Sequence, residues 1–377
     1  MGKLGRSHED EMRKFPGLMV LLFLQSALGA QEPNRLSVNP GAIADAAPAM
    51  ANLSFQTSSQ TPANSNQTPP AKPIQKPKHP AKAEPAKQLK RAKIEGSMVG
   101  YIEPAPVENE VRIRFDAGFN DPRPDRAEYF YAGSNAPAAS TSAVQRTLNF
   151  QELYLYGEYA PLSRFSGFVQ IPFRWIQPSF VPDTGQPSLS SGGGISDVQA
   201  GMKLAAVTSP ARNLTFQLRA YFPTGNGAAG MGTNHYSIEP KVLFLQRLSD
   251  RVAIEAEAGD THPIGGTIYY ATSSSPGQTF SADVAMYGVG PSYELIKRDS
   301  YRLTPIFELV SWHVFGGLQT GSTSVVQSAA GINVLNAKLG ARASFADGSS
   351  IYAGFGRGIT SDIWYRNLFR IEYRRVF

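Results

Sequence analysis

Two groupings of side chains in this 377-residue chain could do chemistry. The first is His235-Tyr236-Ser237, a His and a Ser two positions apart. On an extended segment both point to one face, where they could act as base and nucleophile. The second is a series of charged residues at alternate positions along many short segments: Arg112, Arg114, Arg174, Asp197, Lys203, Arg219, Glu239, Lys241, Glu255, Arg302, Glu308, Lys338, Arg342, Arg370 and Glu372. Lined up on one surface, these give a mixed-charge path along which a solute could move. Little other chemistry is legible. The absence of cysteine excludes disulfides, a thiolate metal site and a Cys nucleophile. His262 and His313 have no metal-ligand spacing, and no phosphate loop, dinucleotide fingerprint or zinc pattern occurs, so neither cofactor nor metal is expected.

The segments that carry these residues alternate with period 2. Val111, Ile113, Phe115 and Ala117 oppose Arg112, Arg114, Asp116 and Gly118. Leu214, Phe216, Leu218, Ala220 and Phe222 oppose Thr215, Gln217, Arg219 and Tyr221. This is the pattern of two-faced strands. Twelve are predicted, at 110–119, 149–159, 164–176, 194–207, 213–223, 236–248, 251–261, 281–296, 301–314, 330–345, 349–359 and 365–377. Connections alternate between short turns and longer Gly-, Ser-, Thr- and Pro-rich stretches, the rule of a transmembrane barrel with turns at one end and loops at the other. The polar face would then be the lumen. Arg164, Arg374, Asp116, Glu152, Glu158, Glu257, Asp283 and Glu294 fall on it as well, so the signs nearly balance. Such a lumen either fills itself with ion pairs or leaves a narrow polar channel. Pro172, Pro240, Pro291 and Pro305 lie inside strands, where bulges or bends are expected. Tyr129, Phe130, Tyr131, Tyr269 and Tyr270 are loop aromatics that could touch solute or sit in an interfacial girdle.

The fold class is therefore all-β: an antiparallel transmembrane β-barrel of about twelve strands, preceded by a disordered Pro-, Lys- and Ala-rich periplasmic tail. Residues 1–30 read as a secretory signal, with an apolar run after Arg13-Lys14, small residues at its end and Met12 as an alternative start. Residues 31–98 show neither period and are expected to be a disordered linker. Residues 99–377 are the barrel. The sequence pI of about 9.3 belongs to the tail. Lys72, Lys76, Lys78, Lys82, Lys87, Lys90, Arg91 and Lys93 face only Glu84 there, which leaves the rest of the chain near neutral. This basic run, without interleaved aromatics, is not a nucleic-acid site. It could reach anionic peptidoglycan or serve as a solvated spacer.

Gly194-Ile195-Ser196-Asp197, then Lys203, then Leu214 to Phe222 and Pro223-Thr224-Gly225 resemble the outer-membrane family named for the meta-pathway of phenol degradation. The resemblance spans roughly residues 190–377. It implies a barrel of this size and passage of a small aromatic or other hydrophobic solute, with no catalytic residues to carry over. Outer-membrane phospholipase A is also a barrel of about twelve strands, but its His-x-Ser motif continues with Asn-Gly, whereas Ile238-Glu239 follow here. The sequence thus points to an outer-membrane channel or transporter, not an enzyme, with both termini periplasmic. Outer-membrane lipid surrounds it, and the barrel-assembly machinery would read Phe377. The alternatives are an envelope barrel tethered to the wall through its tail, or a wall-embedded lipid hydrolase.

Overall fold

The structure is a computed structural model. It describes residues 96–121, 145–180, 190–266, 268–269, 274, 276–320 and 326–377. The signal, the basic run Lys72–Lys93 and the side chains of Tyr129, Phe130, Tyr131, Tyr269 and Tyr270 lie outside the described residues.

Twelve long strands form one closed antiparallel ring. They are β1 (Glu110–Asp121), β2 (Gln145–Leu162), β3 (Phe165–Phe180), β4 (Val198–Thr208), β5 (Arg212–Phe222), β6 (Tyr236–Arg247), β7 (Val252–Ile264), β8 (Val284–Tyr293), β9 (Tyr301–Val314), β10 (Asn333–Phe345), β11 (Ser349–Gly358) and β12 (Asn367–Val376). Each strand pairs with its neighbours in sequence, and β1 closes the ring on β12, with Arg114 opposite Glu372 and Asp116 opposite Arg370. Closure matters because a lipid-facing sheet cannot leave backbone groups unpaired. The predicted strands are all present, and several run longer than the pattern suggested. β2 has 18 residues and β3 has 16.

Burial follows the alternation. Ile113, Phe216, Leu218, Leu339 and Phe369 are exposed on the outer wall, while Arg112, Arg174, Lys203, Glu239 and Arg342 are buried inside. That inversion, apolar outside and charged inside, is what a lipid-facing barrel needs. Short turns join β2–β3, β4–β5, β6–β7, β8–β9 and β10–β11 at one end, and the longer loops stand at the other. Among the described residues no helix is long and apolar enough to cross a membrane, which does not bear on strands.

Two of the four strand prolines lie at one-residue slips, and Pro240 and Pro291 do not. The pairing slips across from Pro172, between Gln170–Gln199 and Phe173–Ile195, and across from Pro305, between Leu303–Ile296 and Ile306–Ser292. Further register shifts lie between Gly118 and Asp121, Gln145 and Thr147, Tyr159 and Leu162, and Ala205 and Val207. Pro240 keeps its pairing with Leu218, and the β6–β7 ladder skips from Ile238 to Lys241 without slipping. Pro291 keeps Ile254 and the β8–β9 ladder skips likewise. The reason is that each antiparallel residue directs its N–H to only one neighbour. At Pro240 and Pro291 the proline forfeits that one bond and leaves the register intact. Opposite Pro172, strand β3 changes partner, from β4 to the short strand Gly192–Ile195.

Candidate functional site: a charged lumen and the segment inside it

The inner wall is a lattice of ion pairs. Lys203 Nζ lies 2.7 Å from Glu158, Arg342 Nη2 lies 2.8 Å from Glu372, and Arg370 grips Asp116 through two nitrogens at 2.6 and 2.7 Å. Lys241 is 3.0 Å from Glu239, Arg112 is 2.8 Å from Glu110, and Arg302 is 3.3 Å from Glu294. Arg174 approaches Glu152, and Arg114 lies on the Tyr154 ring. A charge in this setting is costly without an opposite charge or a hydrogen-bond partner beside it.

Wall charges alone do not fill the lumen. Residues 97–109, the stretch just before β1, run inside the barrel. Ser97 and Met98, read as the end of the linker, are buried with Val99, Tyr101, Ile102 and Ala105. The segment starts and ends at the short-turn end. Gly96 accepts from Arg247, and Asn109 accepts from the Phe377 amide. Its course between them is set by contacts with the wall. Arg374 donates to the Ser97 carbonyl at 3.0 Å, Arg342 to the Met98 and Val99 carbonyls at 2.9 and 2.7 Å, and Arg370 to the Gly100 carbonyl at 2.6 Å. The wall acids take the amides. Glu255 accepts Met98 N–H at 2.8 Å, and Glu308 Oε1 accepts both Tyr101 and Ile102 N–H at 2.9 Å. Glu257 accepts Glu103 N–H at 3.2 Å. Pro104 and Pro106, which have no N–H to place, flank Ala105, whose carbonyl takes Thr215 Oγ1–H.

Glu103 joins the wall lattice, with Arg219 at 2.7 Å and Arg112 at 3.5 Å. Burial works against its charge, but these guanidiniums hold its carboxyl well below the usual range. Glu108, near the short-turn end, is different. Burial raises its carboxyl to about 7, Glu110 beside it pushes the same way, and Arg374 and Lys203 oppose.

Packing is as specific as the polar contacts. A Cβ on Gly100 would lie 2.2 Å from the Tyr352 ring, so only glycine fits there. Gly288 and Gly290 leave room on β8 for Ile102 and Val99. Ala105 packs on Leu243 and Leu245, two inward leucines on an otherwise polar face.

From the loop end an aromatic group covers the lumen. Trp364 and Tyr365, in the β11–β12 connection, turn inward. Trp364 lies 4.9 Å from Trp312, and Tyr365 lies 6.4 Å from Phe150, centroid to centroid. Between this roof and Tyr101 a cavity of about 130 Å³ remains. A larger apolar groove of about 590 Å³ lies on the outer wall, lined by Met202, Phe216, Leu218 and Val242. It faces lipid, not the lumen.

The sequence-predicted residues separate into three groups. Arg112, Arg114, Arg174, Lys203, Arg219, Glu239, Lys241, Glu255, Arg302, Glu308, Lys338, Arg342, Arg370 and Glu372 all reach the lumen. Asp197 is buried but does another job. Its carboxylate accepts Gly225 N–H at 3.0 Å and the Thr233 N–H and O–H at 2.8 Å, so it staples the β5–β6 loop to the start of β4. Arg164 and Asp283 leave the inner face for the two barrel ends. Arg164 is an exposed turn residue, and Asp283 pairs with His262 at 2.6 Å. His235 Nδ1 sits 3.0 Å from the Thr233 carbonyl, and burial pushes its imidazole down. The sequence reading missed Trp312, Trp364 and the segment 97–109.

A closed barrel with an apolar outer wall and a charged interior is the architecture of a transmembrane β-barrel. The family described as "Putative MetA-pathway of phenol degradation" matches residues 139–292, which bears out the resemblance. The match starts and stops earlier than the span read from the sequence. It takes in Asp197, Lys203 and the Pro223-Thr224-Gly225 exit, the residues of the loop staple and of one wall ion pair. Many solved structures are similar, the following three among them. An outer membrane channel from Pseudomonas putida F1 is 16% identical, with 74% of this chain and 99% of that chain covered and a TM-score of 0.49. The beta domain of the Bordetella autotransporter BrkA is 14% identical, covering 72% and 100% with a TM-score of 0.41. LpxR from Salmonella typhimurium is 10% identical, covering 71% and 100% with a TM-score of 0.38. No curated protein matches the chain.

Proposed function

We propose that this chain is an outer-membrane channel for a small aromatic or hydrophobic solute, with residues 97–109 as its removable closure. The short turns and both termini face the periplasm in this reading, and the loops face outside. The observation that carries it is how the segment is held. Its backbone is gripped by side chains of a wall whose ion pairs are largely made without it. Arg370–Asp116, Arg342–Glu372 and Lys203–Glu158 all persist if the segment leaves. A barrel packed only for rigidity has no reason to keep a self-sufficient polar wall behind its filling. Arg219 and Arg112, which reach Glu103, retain Glu239 and Glu110.

No observation favours the lipid-hydrolase alternative, and a channel of this kind is not an enzyme. Ser237 is buried on the inner face, and the His235 ring nitrogen is engaged by the Thr233 carbonyl. A tether to peptidoglycan through Lys72–Lys93 remains compatible with a channel. The test is solute entry into liposomes carrying the refolded chain. Swelling in small solutes that increases on deleting residues 97–106 supports the reading. No swelling with either protein, both folded, overturns it.

A further inference from the structure

Lys338 stands apart from every other wall cation. Its side chain is 4% exposed, yet among the described residues its ammonium has neither a hydrogen-bond acceptor nor a carboxylate within ion-pair distance. It lies instead against two rings, 4.0 Å from the Tyr101 centroid and 5.3 Å from that of Trp312. Cation–π contact offsets part of the desolvation, but a lysine has three donors to place. The carboxylate that should serve it is Glu308, its direct cross-strand neighbour. That carboxylate is turned to the amides of Gly100, Tyr101 and Ile102, at 3.3, 2.9 and 2.9 Å. Asp116 is held by Arg370, and Glu257 by Lys241 and the Glu103 amide.

Two more donors near it are unpartnered. The Trp312 indole N–H and the Tyr101 hydroxyl are buried without a partner among the described residues. All three side chains line the lumen cavity below the aromatic roof, where Trp364 and Phe150 supply apolar surface. The remaining lining acids, such as Asp116, Glu239 and Glu257, are matched by Arg370 and Lys241. Its volume, about 130 Å³, is close to the roughly 150 Å³ that accommodates one benzene ring.

We infer that this chamber binds a single-ring aromatic carboxylate, with its anion at Lys338 and its ring among Trp312, Trp364 and Tyr101. The ring fits the apolar wall, and the carboxylate accepts the donors that the protein leaves unmatched. A neutral arene leaves the ammonium unanswered, and an aliphatic acid loses the ring contacts. The inference rests on the proposal that solutes enter the lumen, and it makes Lys338 a specificity determinant there. Seating the segment also prepares the site, because the segment draws Glu308 away from Lys338.

The test is titration of the refolded full chain in detergent, followed by tryptophan fluorescence, with benzoate, cyclohexanecarboxylate and benzyl alcohol. Saturable benzoate binding is expected, at least tenfold tighter than either comparison compound. Lys338→Met should weaken benzoate at least tenfold and leave benzyl alcohol unchanged, and Lys338→Arg should restore binding. If Lys338→Met fails to fold, Trp312→Phe, which removes the indole N–H, should weaken benzoate severalfold. Absent benzoate binding, or equal binding to folded Lys338→Met, overturns the inference. Because no flux is measured, a chain that binds benzoate but admits no solute sinks only the channel. A chain that admits solute but ignores benzoate sinks only this site.

Discussion

Glu308 is where the closure is most open to attack. Its carboxylate takes three amides of the segment, two at 2.9 Å and one at 3.3 Å, and all of them are buried. Glu308→Ala leaves those N–H groups without an acceptor in a space that water enters poorly. A hydrogen bond to a charged group contributes about 1.5–3 kcal/mol net, so losing the two short bonds costs roughly 3–6 kcal/mol of seating. Release in the unsubstituted protein frees Glu308 to pair with Lys338 across β9 and β10, which lowers the net loss toward the smaller figure. At about 1.4 kcal/mol per tenfold, the released fraction should rise about a hundredfold or more. The absence of native cysteine makes the assay clean. Val99→Cys places one thiol at a position with no exposure, and its labelling by a water-soluble maleimide reports the released population when reseating is fast. In the Glu308→Ala background it should label about a hundredfold faster. Equal rates in two folded barrels would refute the reasoning. So would a Val99→Cys thiol that labels as fast as a free one in the parent protein.

Other perturbations address separate parts of the account. Gly100→Ala should also speed Val99→Cys labelling, because its Cβ meets the Tyr352 ring at 2.2 Å, and adding Tyr352→Ala should reverse much of the effect. Glu108 gives the closure a pH dependence. The seated carboxyl is raised to about 7 against an ordinary value near 4.5, so seating binds a proton. Its contribution is complete below the ordinary value and is lost as pH rises through about 7. Labelling, normalised to a free thiol, should therefore be faster at pH 8 than at pH 5, and Glu108→Gln should flatten the difference. Asp197→Ala removes the acceptor of three hydrogen bonds to Gly225 and Thr233, a loss of a few kcal/mol locally. Limited proteolysis should then cut the β5–β6 loop faster while the barrel stays folded.

The strands were legible because lipid outside and charge inside force period 2 on every one of them. Arg219 and Glu308 could be placed on the inner face from their neighbours alone. What the alternation could not report is what stands opposite a charge across the lumen. It showed Glu308 and Lys338 facing inward, but not that one is taken by backbone amides and the other is left over. Asp197 follows the alternation into the interior and yet serves a loop, because the strand breaks opposite Pro172. The segment 97–109 left a faint trace. Met98-Val99-Gly100-Tyr101-Ile102 is an apolar run directly after a polar tail, and Leu243 and Leu245 interrupt a polar face. Each half looks incidental until its partner is known, since the two are more than a hundred residues apart. Trp364 and Tyr365 sit in a short connection, where nothing local says that they turn inward.

The central claim is that the chain's own segment closes the lumen, and single-channel recording in a planar bilayer tests it most directly. The full chain should be silent or show brief, small openings. The same chain lacking residues 97–106 should give stable, discrete and larger steps. Identical conductance in the two, with both barrels folded, would contradict the account.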